Sequence, residues 1–232
     1  MEERAVVNLD DVKQLIKSGQ IETDSEVIGE GALTHTSGDV FPYKVCHGWN
    51  IASSLECDEK WGRSNLELFE YIREQDFDDN KLAEVLDSIQ TEDHHWNWFK
   101  KSVGTTGDEY EWFYLYAEGE PQAACLIYHP KGSALEDSNI FYVEFLAVAP
   151  WNRSCLVRER EFLGVGSVLL RAALDFSVSK LGLSPGFSLH SLPQASEYYS
   201  KLKMVNVAEK NKDSLLYFEL PGFEASKLLG AA

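Results

Sequence analysis

The sequence has few cysteines, the residues with which small proteins compensate for a limited core by forming disulfides or metal sites. Four of its 232 residues are cysteines, at positions 46, 57, 125 and 155, and they form no Cys-x-x-Cys pair. This spacing argues against a zinc site and against a disulfide framework. The sequence contains no run of 18 apolar residues and therefore predicts no membrane-spanning helix. The first residues do not resemble a secretion signal. We therefore expect a cytoplasmic protein without a resident metal.

Basic residues are also scarce, because 21 lysines and arginines stand against 38 aspartates and glutamates. The resulting formal net charge of −17 repels phosphate backbones and anionic lipids, so we expect neither nucleic acid nor a membrane as partner. The same charge attracts cations, which favours a positively charged amine as substrate. Hydrophobic residues make up 44% of the chain, which is enough for a full core.

The hydrophobic pattern divides the chain into an N-terminal extension, residues 1–42, and a domain, residues 43–232. The extension is polar, with a short helix expected over residues 9–16 and a loop with a short strand over 28–40. In the domain, aromatic runs predict strands and apolar residues three or four apart predict helices, with Ser64 as an N-cap. The predicted elements of this mixed α/β sheet are a strand at 43–51, helices within 64–102, strands at 112–116, 123–128 and 140–148, a helix at 165–176, a strand at 187–192, a helix at 194–202 and a strand at 215–220.

A glycine-rich turn joins the strand at 140–148 to the helix at 165–176. Its residues are Phe162-Leu163-Gly164-Val165-Gly166-Ser167. Glycine lets the backbone approach a ligand, and the helix N-terminus adds free N–H groups and the positive end of its dipole, which suits a phosphate. A tight turn without a ligand explains the same residues. A dinucleotide fingerprint would need a glycine in place of Leu169, and a P-loop would need a lysine in place of Ser167.

Three stretches occur in an order and spacing that a known family shares. They are Phe145-Leu146-Ala147-Val148-Ala149-Pro150, then Gly164-Val165-Gly166-Ser167-Val168-Leu169-Leu170, then Ala195-Ser196-Glu197-Tyr198-Tyr199-Ser200-Lys201-Leu202. They resemble the Leu-x-Val-x-Pro strand, the pyrophosphate-binding Gly-x-Gly/Ala loop and the Ala-x-x-x-Tyr-x-Lys helix of the GNAT superfamily of N-acetyltransferases. The resemblance covers residues 43–220. It implies a mixed, mainly antiparallel central sheet flanked by helices, and acetyl-CoA as cosubstrate.

The sequence departs from the family pattern around the loop. Glu161 stands where the family has Arg or Gln, so Arg158 or Arg160 is expected to supply the positive charge. The connection before the loop is longer than is usual in the family, which marks residues 154–161 as an insertion. Further departures are Leu192 in place of an Asn that contacts coenzyme A in many members, and Lys203-Met204 in place of Gly-Phe.

The resemblance also implies which residues contact acetyl-CoA. The loop would bind the pyrophosphate, and backbone N–H groups of the central strand would meet the thioester carbonyl. Tyr199 would act as the acid that protonates the leaving thiolate, while a core aromatic is the alternative and Tyr198 is a neighbour easily confused with it. The implied binding residues are Leu146, Ala147, Val148, Arg160, Phe162, Leu163, Gly164, Val165, Gly166, Ser167 and Tyr199.

Glu144 is the candidate general base. By the two-residue period of a strand it shares a face with Tyr142, Leu146 and Val148. A carboxylate in so apolar a strand is costly unless it is solvated, paired or functional, and burial raises its pKa toward neutrality. This would suit proton abstraction from an amine. The alternative is a half-exposed strand on which Glu144 is solvated or salt-bridged.

These features predict an enzyme that moves an acetyl group from acetyl-CoA to a primary amine of a small molecule or peptide by direct attack. The alternative is a GNAT-shaped binding or regulatory module without catalysis. Edge strands of such sheets often pair, so a homodimer is a further expectation. Asp93-His94-His95 lacks the i, i+4 spacing of helical metal ligands, and we expect no metal there.

Overall fold

The computed structural model of the protein describes residues 9–19, 25–90 and 96–230. Within these ranges, seven α-helices accompany one eight-stranded sheet. The helices are α1 (Leu9–Lys17), α2 (Ile51–Glu74), α3 (Asp79–Asp87), α4 (Trp98–Gly104), α5 (Val165–Ser179), α6 (Ser196–Lys201) and α7 (Gly222–Leu228). The strands are β1 (Glu26–Thr34), β2 (Val40–His47), β3 (Tyr110–Ala117), β4 (Glu120–Gly132), β5 (Asn139–Val148), β6 (Phe187–Ser191), β7 (Val205–Asn206) and β8 (Leu216–Leu220).

The strand order across the sheet is β1-β2-β3-β4-β5-β6-β8-β7. Every neighbouring pair is antiparallel except β5 and β6, which run parallel, so the predicted mixed and mainly antiparallel sheet is confirmed. The parallel pairing ends at Val143 with Leu189, although β5 continues to Val148. The unpaired side of residues 144–148, next to the end of β6, is called the β5–β6 opening below.

Both faces of the sheet are covered by helices, and each has its own core. The α5 face buries the apolar stripe of α5, which confirms the helix predicted at 165–176. The α2 face buries Trp61 of α2 and Trp98 of α4 against Trp112 and Leu126 of the sheet. A side chain of β5 therefore packs toward α5 or toward α2 and α4, depending on the face of the sheet on which it lies.

The first two strands lie partly in the expected N-terminal extension. β1 pairs with β2 along its length, and Leu33 of β1 is buried in the core on the α5 face. A Cβ on Gly31 would lie 2.6 Å from the hydroxyl of Tyr43, so any larger residue there would displace the Tyr43 ring. Residues 26–34 and 40–42 are thus part of the sheet, and the short helix expected at 9–16 is confirmed as α1.

The predicted N-cap at Ser64 is wrong, because the helix begins thirteen residues earlier at Ile51. Asn50 caps it, and the Asn50 side chain accepts a hydrogen bond from the N–H of Ser53 at 3.0 Å. The predicted strand at 43–51 accordingly ends at His47. Ser64 lies inside α2, where its hydroxyl accepts a hydrogen bond from the guanidinium of Arg158 at 3.0 Å.

The hairpin predicted from residues 112–128 is confirmed as β3 and β4. Its two connecting residues, Glu118 and Gly119, have φ values of 57° and 75°. Two successive left-handed residues are typical of the type I′ turn, whose twist matches that of the flanking strands. The hairpin places β4 next to β5 and thereby sets the register of the strand that carries Glu144.

Candidate active site

Glu144 lies at a β-bulge. On β4, Leu126 faces Phe145 and Ile127 faces Val143, so β5 has one more residue than β4 at this point. Glu144 is that additional residue and has no partner on β4. The parallel pairing with β6 ends at the preceding residue, Val143. Glu144 is therefore the first residue of the β5–β6 opening.

The bulge changes the face on which the following side chains lie. Phe141 and Val143 pack on the α5 face, and after the bulge Leu146 and Val148 also pack there. Phe145 and Ala147 pack on the α2 face instead. The expectation that Glu144 shares a face with Leu146 and Val148 is wrong, because the two-residue period does not continue through a bulge.

The carboxyl group of Glu144 is half-buried next to lysines. Partial burial is the largest influence and raises its pKa above the usual 4.5, while the positive charges of Lys212, Lys101 and Lys131 act in the opposite direction. Among the described residues, no hydrogen bond or ion pair to this carboxylate is formed. The group is thus positioned to accept a proton from a ligand.

Aromatic rings and a lysine border Glu144 on the α2 face. The ammonium nitrogen of Lys101 lies 3.1 Å from the centroid of the Phe145 ring and 5.1 Å from that of Trp96. Partial burial lowers the pKa of Lys101. The rings of Tyr110 and Tyr128 lie 5.5 Å apart. These side chains form an aromatic wall beside the carboxylate.

Tyr142 and His190 form a hydrogen-bonded pair across the parallel strands, which sequence reasoning missed. The Nε2–H of His190 donates to the carbonyl of Lys210 at 2.9 Å, so Nδ1 accepts from the hydroxyl of Tyr142 at 2.7 Å. Partial burial lowers the pKa of His190 and favours this neutral form, and burial raises the pKa of Tyr142 to about 12. The alternating pattern of β6 indicated a strand but could not show that His190 meets Tyr142.

The glycine turn begins α5 as predicted. Gly164 is the N-cap residue with a φ of 72°, a conformation that favours glycine. A Cβ on Gly166 would lie 3.4 Å from the side chain of Val148, so the helix N-terminus is close to the end of β5. The N–H of Phe162 donates to the Asn152 side chain, and that of Leu163 donates to the Thr34 carbonyl. The N–H groups open to an anion are therefore those of the helix start, at Gly164, Val165, Gly166 and Ser167.

The arginines near the turn differ in their availability. Arg158 is half-buried and donates to Ser64 and to the carbonyl of Pro150, so it anchors the insertion to α2. Arg160 lies two residues before the turn in the chain, and its side chain is exposed. Arg153 donates twice to the carbonyl of Val148, at 2.9 and 2.8 Å. Arg160 is thus the arginine free to approach a pyrophosphate, whereas Glu161 carries a pKa raised by partial burial.

Tyr198 and Tyr199 occupy different environments. The Tyr198 hydroxyl lies 2.9 Å from that of Ser167 in the first turn of α5. Tyr199 packs into the core on the α5 face. Burial is the main cause that raises the pKa of its hydroxyl, and the nearby Tyr198 and Cys125 raise it further. Cys125 faces Leu146 across the β4–β5 ladder. Tyr199 therefore lies near the β5–β6 opening on the α5 face, while Glu144 borders it on the α2 face.

Several predictions from the sequence concern features that the described residues do not test. Asp93-His94-His95 is outside the described residues, and the described ranges contain no cluster of three or more potential metal ligands. In those ranges, no helix is both long and apolar enough to cross a bilayer. The homodimer, the cytoplasmic location and the absence of a nucleic-acid partner stay predictions.

No protein-family model and no curated protein matches the chain. It is similar to several solved structures. One of them is apo FdhC, a nucleotide-linked sugar GNAT, which is 12% identical and has a TM-score of 0.49; the match covers 88% of this chain and 98% of that chain. PaiA N-acetyltransferase from Thermoplasma acidophilum, in complex with coenzyme A, has 12% identity, coverages of 75% and 97% and a TM-score of 0.45. A KacTA–DNA complex has 13% identity, coverages of 64% and 86% and a TM-score of 0.44. Because these TM-scores are below 0.5, any activity of this protein has to be inferred from the geometry of its own site.

Proposed function

We propose that the protein is a GNAT-type N-acetyltransferase that moves an acetyl group from acetyl-CoA to a primary amine of a small molecule or peptide. The observation that carries the proposal is the bulge at Glu144, where β5 loses both its β4 partner and its β6 partner. As a result, a carboxylate lies at the β5–β6 opening. The glycine N-terminus of α5 and the Tyr199 ring lie on the other face of the same opening.

The α5 face has the features that a coenzyme A ester requires. The N–H groups of the first turn of α5 and the helix dipole suit the pyrophosphate, with Arg160 exposed beside them. The edge of β5 past Val143 has no strand partner and can hydrogen-bond an extended chain, as a sheet edge binds a peptide. Pantetheine is such a chain, and its amides would pair with residues 144–148.

The α2 face would receive the amine. The Glu144 carboxylate accepts a proton from the ammonium form, and the neutral amine nitrogen then attacks the thioester carbonyl carbon. A C–N bond forms, the oxyanion is stabilised by β5 backbone N–H groups, and the C–S bond breaks. Tyr199 donates its hydroxyl proton to the departing thiolate, and the attacking nitrogen then gives up its second proton, which restores the Tyr199 hydroxyl. The proton held by Glu144 passes to solvent, which restores the carboxylate. The products are the acetylated amine and coenzyme A, with no covalent enzyme intermediate.

Calorimetric titration with acetyl-CoA, with free coenzyme A as reference, tests the cosubstrate site. Ser167→Glu separates binding from folding, because an acidic residue in the first turn stabilises a helix but repels a pyrophosphate. We expect micromolar binding that Ser167→Glu weakens at least tenfold. The matched control Ser167→Ala loses the same hydroxyl contact with Tyr198, so its melting temperature should be similar to that of Ser167→Glu while its acetyl-CoA binding is retained. Absence of binding at millimolar acetyl-CoA would contradict the proposal.

Release of the coenzyme A thiol in the presence of amines then tests the chemistry. Turnover that needs both acetyl-CoA and an amine supports the transferase. Tight acetyl-CoA binding without thiol release for any amine would instead indicate the binding or regulatory module.

A further inference from the structure

The charges around Glu144 are opposite in sign to the charge of the whole protein. Four lysines from three parts of the chain surround this end of the α2 face, although the formal net charge is −17. Lys101 belongs to α4, Lys131 to β4, and Lys210 and Lys212 to the segment that precedes β8.

The positions of these lysines are tied to the site by specific contacts. The Lys101 ammonium rests on the ring of Phe145, the residue after Glu144. Lys131 faces Ile140 on β5. The Lys210 ammonium nitrogen lies 5.7 Å from the centroid of the Tyr217 ring, which is 5.1 Å from the ring of His190. The backbone of Lys212 forms a bridge with Leu215. Lys212 and Lys131 act electrostatically on both Glu144 and His190, so both approach the same space.

Within the described ranges, none of these four lysines has a carboxylate within ion-pair distance, whereas Lys60, Lys81, Lys201 and Lys227 each do. The carboxylates that accompany them are Glu144 itself, Asp58 near Lys101, Glu209 and Asp213 in the segment of Lys210 and Lys212, and Glu109 near Tyr110. Asp58 accepts hydrogen bonds from the N–H groups of Trp98 and Phe99. Because none of these carboxylates lies within ion-pair distance of the four ammonium groups, the ammonium groups are available to an anionic ligand.

We propose that the acceptor is an amine that also carries an anionic group, a carboxylate or a phosphate, which these lysines bind. The inference rests on the proposed function. It differs from the cationic amine expected from the net charge, because interactions at a few ångströms outweigh charges that lie beyond a Debye length of about 8 Å. The lysines also lower the pKa of a bound amine, so that more of it is in the neutral form.

A series of primary amines that share a 2-aminoethyl group and differ in the second group isolates the charge of that group. The series comprises β-alanine with a carboxylate, 2-aminoethyl phosphate, uncharged ethanolamine and cationic 1,3-diaminopropane. Binding of each to the protein saturated with coenzyme A is measured by calorimetry or ligand-observed NMR, and turnover by thiol release from acetyl-CoA. We expect an anionic member to bind at least tenfold more tightly than the cationic one, and the carboxylate-to-phosphate ratio identifies the anion.

Lys212→Ala and Lys131→Ala test the assignment, and Lys180→Ala at the end of α5 is the matched control. Each site variant should weaken binding of the preferred anionic amine about threefold to tenfold while changing ethanolamine little, and salt should reduce the difference. Tighter binding of the cationic amine, equal binding of all four or binding of none would overturn the inference while acetyl-CoA binding still upholds the proposed function. Failure to bind acetyl-CoA would overturn both.

Discussion

Replacement of Glu144 by Gln is the most informative single change. The substitution keeps the size of the side chain and its place at the bulge, but it removes the group that can accept a proton. A positioned general base contributes about 10²- to 10⁴-fold to a rate, which corresponds to about 3–5 kcal/mol of barrier. We expect kcat at pH 7 to fall by that factor while the Kd of acetyl-CoA changes by less than about twofold, because the cosubstrate binds on the other face.

The direction in which stability and kcat/KM change with pH tests the same role of Glu144. The pKa of Glu144 is raised above 4.5, so the folded protein holds this proton more tightly than the unfolded chain does. The ionised carboxylate therefore costs stability as the pH rises through and above that range, and Glu144→Gln should leave the melting temperature at pH 7 unchanged or slightly higher. In the wild type, kcat/KM should rise with pH as the carboxylate ionises. The variant should lack this step and keep only the rise at higher pH that follows deprotonation of the amine itself.

The assay is thiol release from acetyl-CoA over pH 5 to 9, with differential scanning calorimetry on the same samples. Glu109→Gln is the matched control, since it removes an exposed carboxylate near Tyr110 but not at the bulge. If Glu144→Gln retains the wild-type kcat and pH profile, Glu144 is not the base. A large loss of melting temperature would show instead that the carboxylate is structural.

Three further predictions concern the helices and strands around the opening. Tyr199→Phe should lower kcat about tenfold or more and leave acetyl-CoA binding intact, whereas Tyr198→Phe should affect kcat little; the reverse order in thiol-release kinetics would exchange their roles. Lys203 follows α6 with a φ of 65°, so Lys203→Gly should raise the free energy of unfolding by about 0.5–1 kcal/mol in urea titrations, and no gain would mean that the residue is unstrained. Because the pKa of His190 is lowered below 6.5, stability should fall as the pH falls through that value, and thermal unfolding of His190→Asn should show a weaker fall; an identical pH dependence would refute this.

The elements that the sequence predicts well are those with a strong local pattern. α5 combines an apolar stripe with glycine at its N-cap, and β5 is a nearly continuous apolar run, so both could be placed within a few residues. The hairpin carries a Glu-Gly turn, in which Gly119 suits the second left-handed position of a type I′ turn. The general position of the candidate site follows from these elements, because the turn before α5 and the end of β5 are adjacent in the chain.

The bulge could not be predicted, because it depends on how β5 pairs with β4. The residues around it, Val143-Glu144-Phe145, alternate no differently from those of a regular strand, and only the register with Leu126 and Ile127 shows the additional residue. For the same reason the two-residue period predicts the wrong faces for the side chains that follow Glu144. The contact of Tyr142 with His190 joins residues 48 positions apart and has no local pattern either.

The start of α2 shows how a tertiary contact can imitate a local feature. Ser64 precedes an apolar periodic stretch, which is the usual pattern of an N-cap. Its hydroxyl is instead a partner of Arg158 in the insertion, and Asn50 has the capping role. β1 is equally hard to detect, because its alternation is weak and several of its side chains are exposed on an edge strand.

The β5–β6 opening has a consequence for inhibitors of the proposed reaction. A conjugate that joins coenzyme A through its sulfur to an acceptor amine would occupy both faces of the sheet at once, with the linkage crossing at residues 144–148. Such a molecule is held at two sites at once, so one half can leave only to be returned by the half that is still bound. Its dissociation should therefore be slower than that of either half alone, and its residence time correspondingly longer.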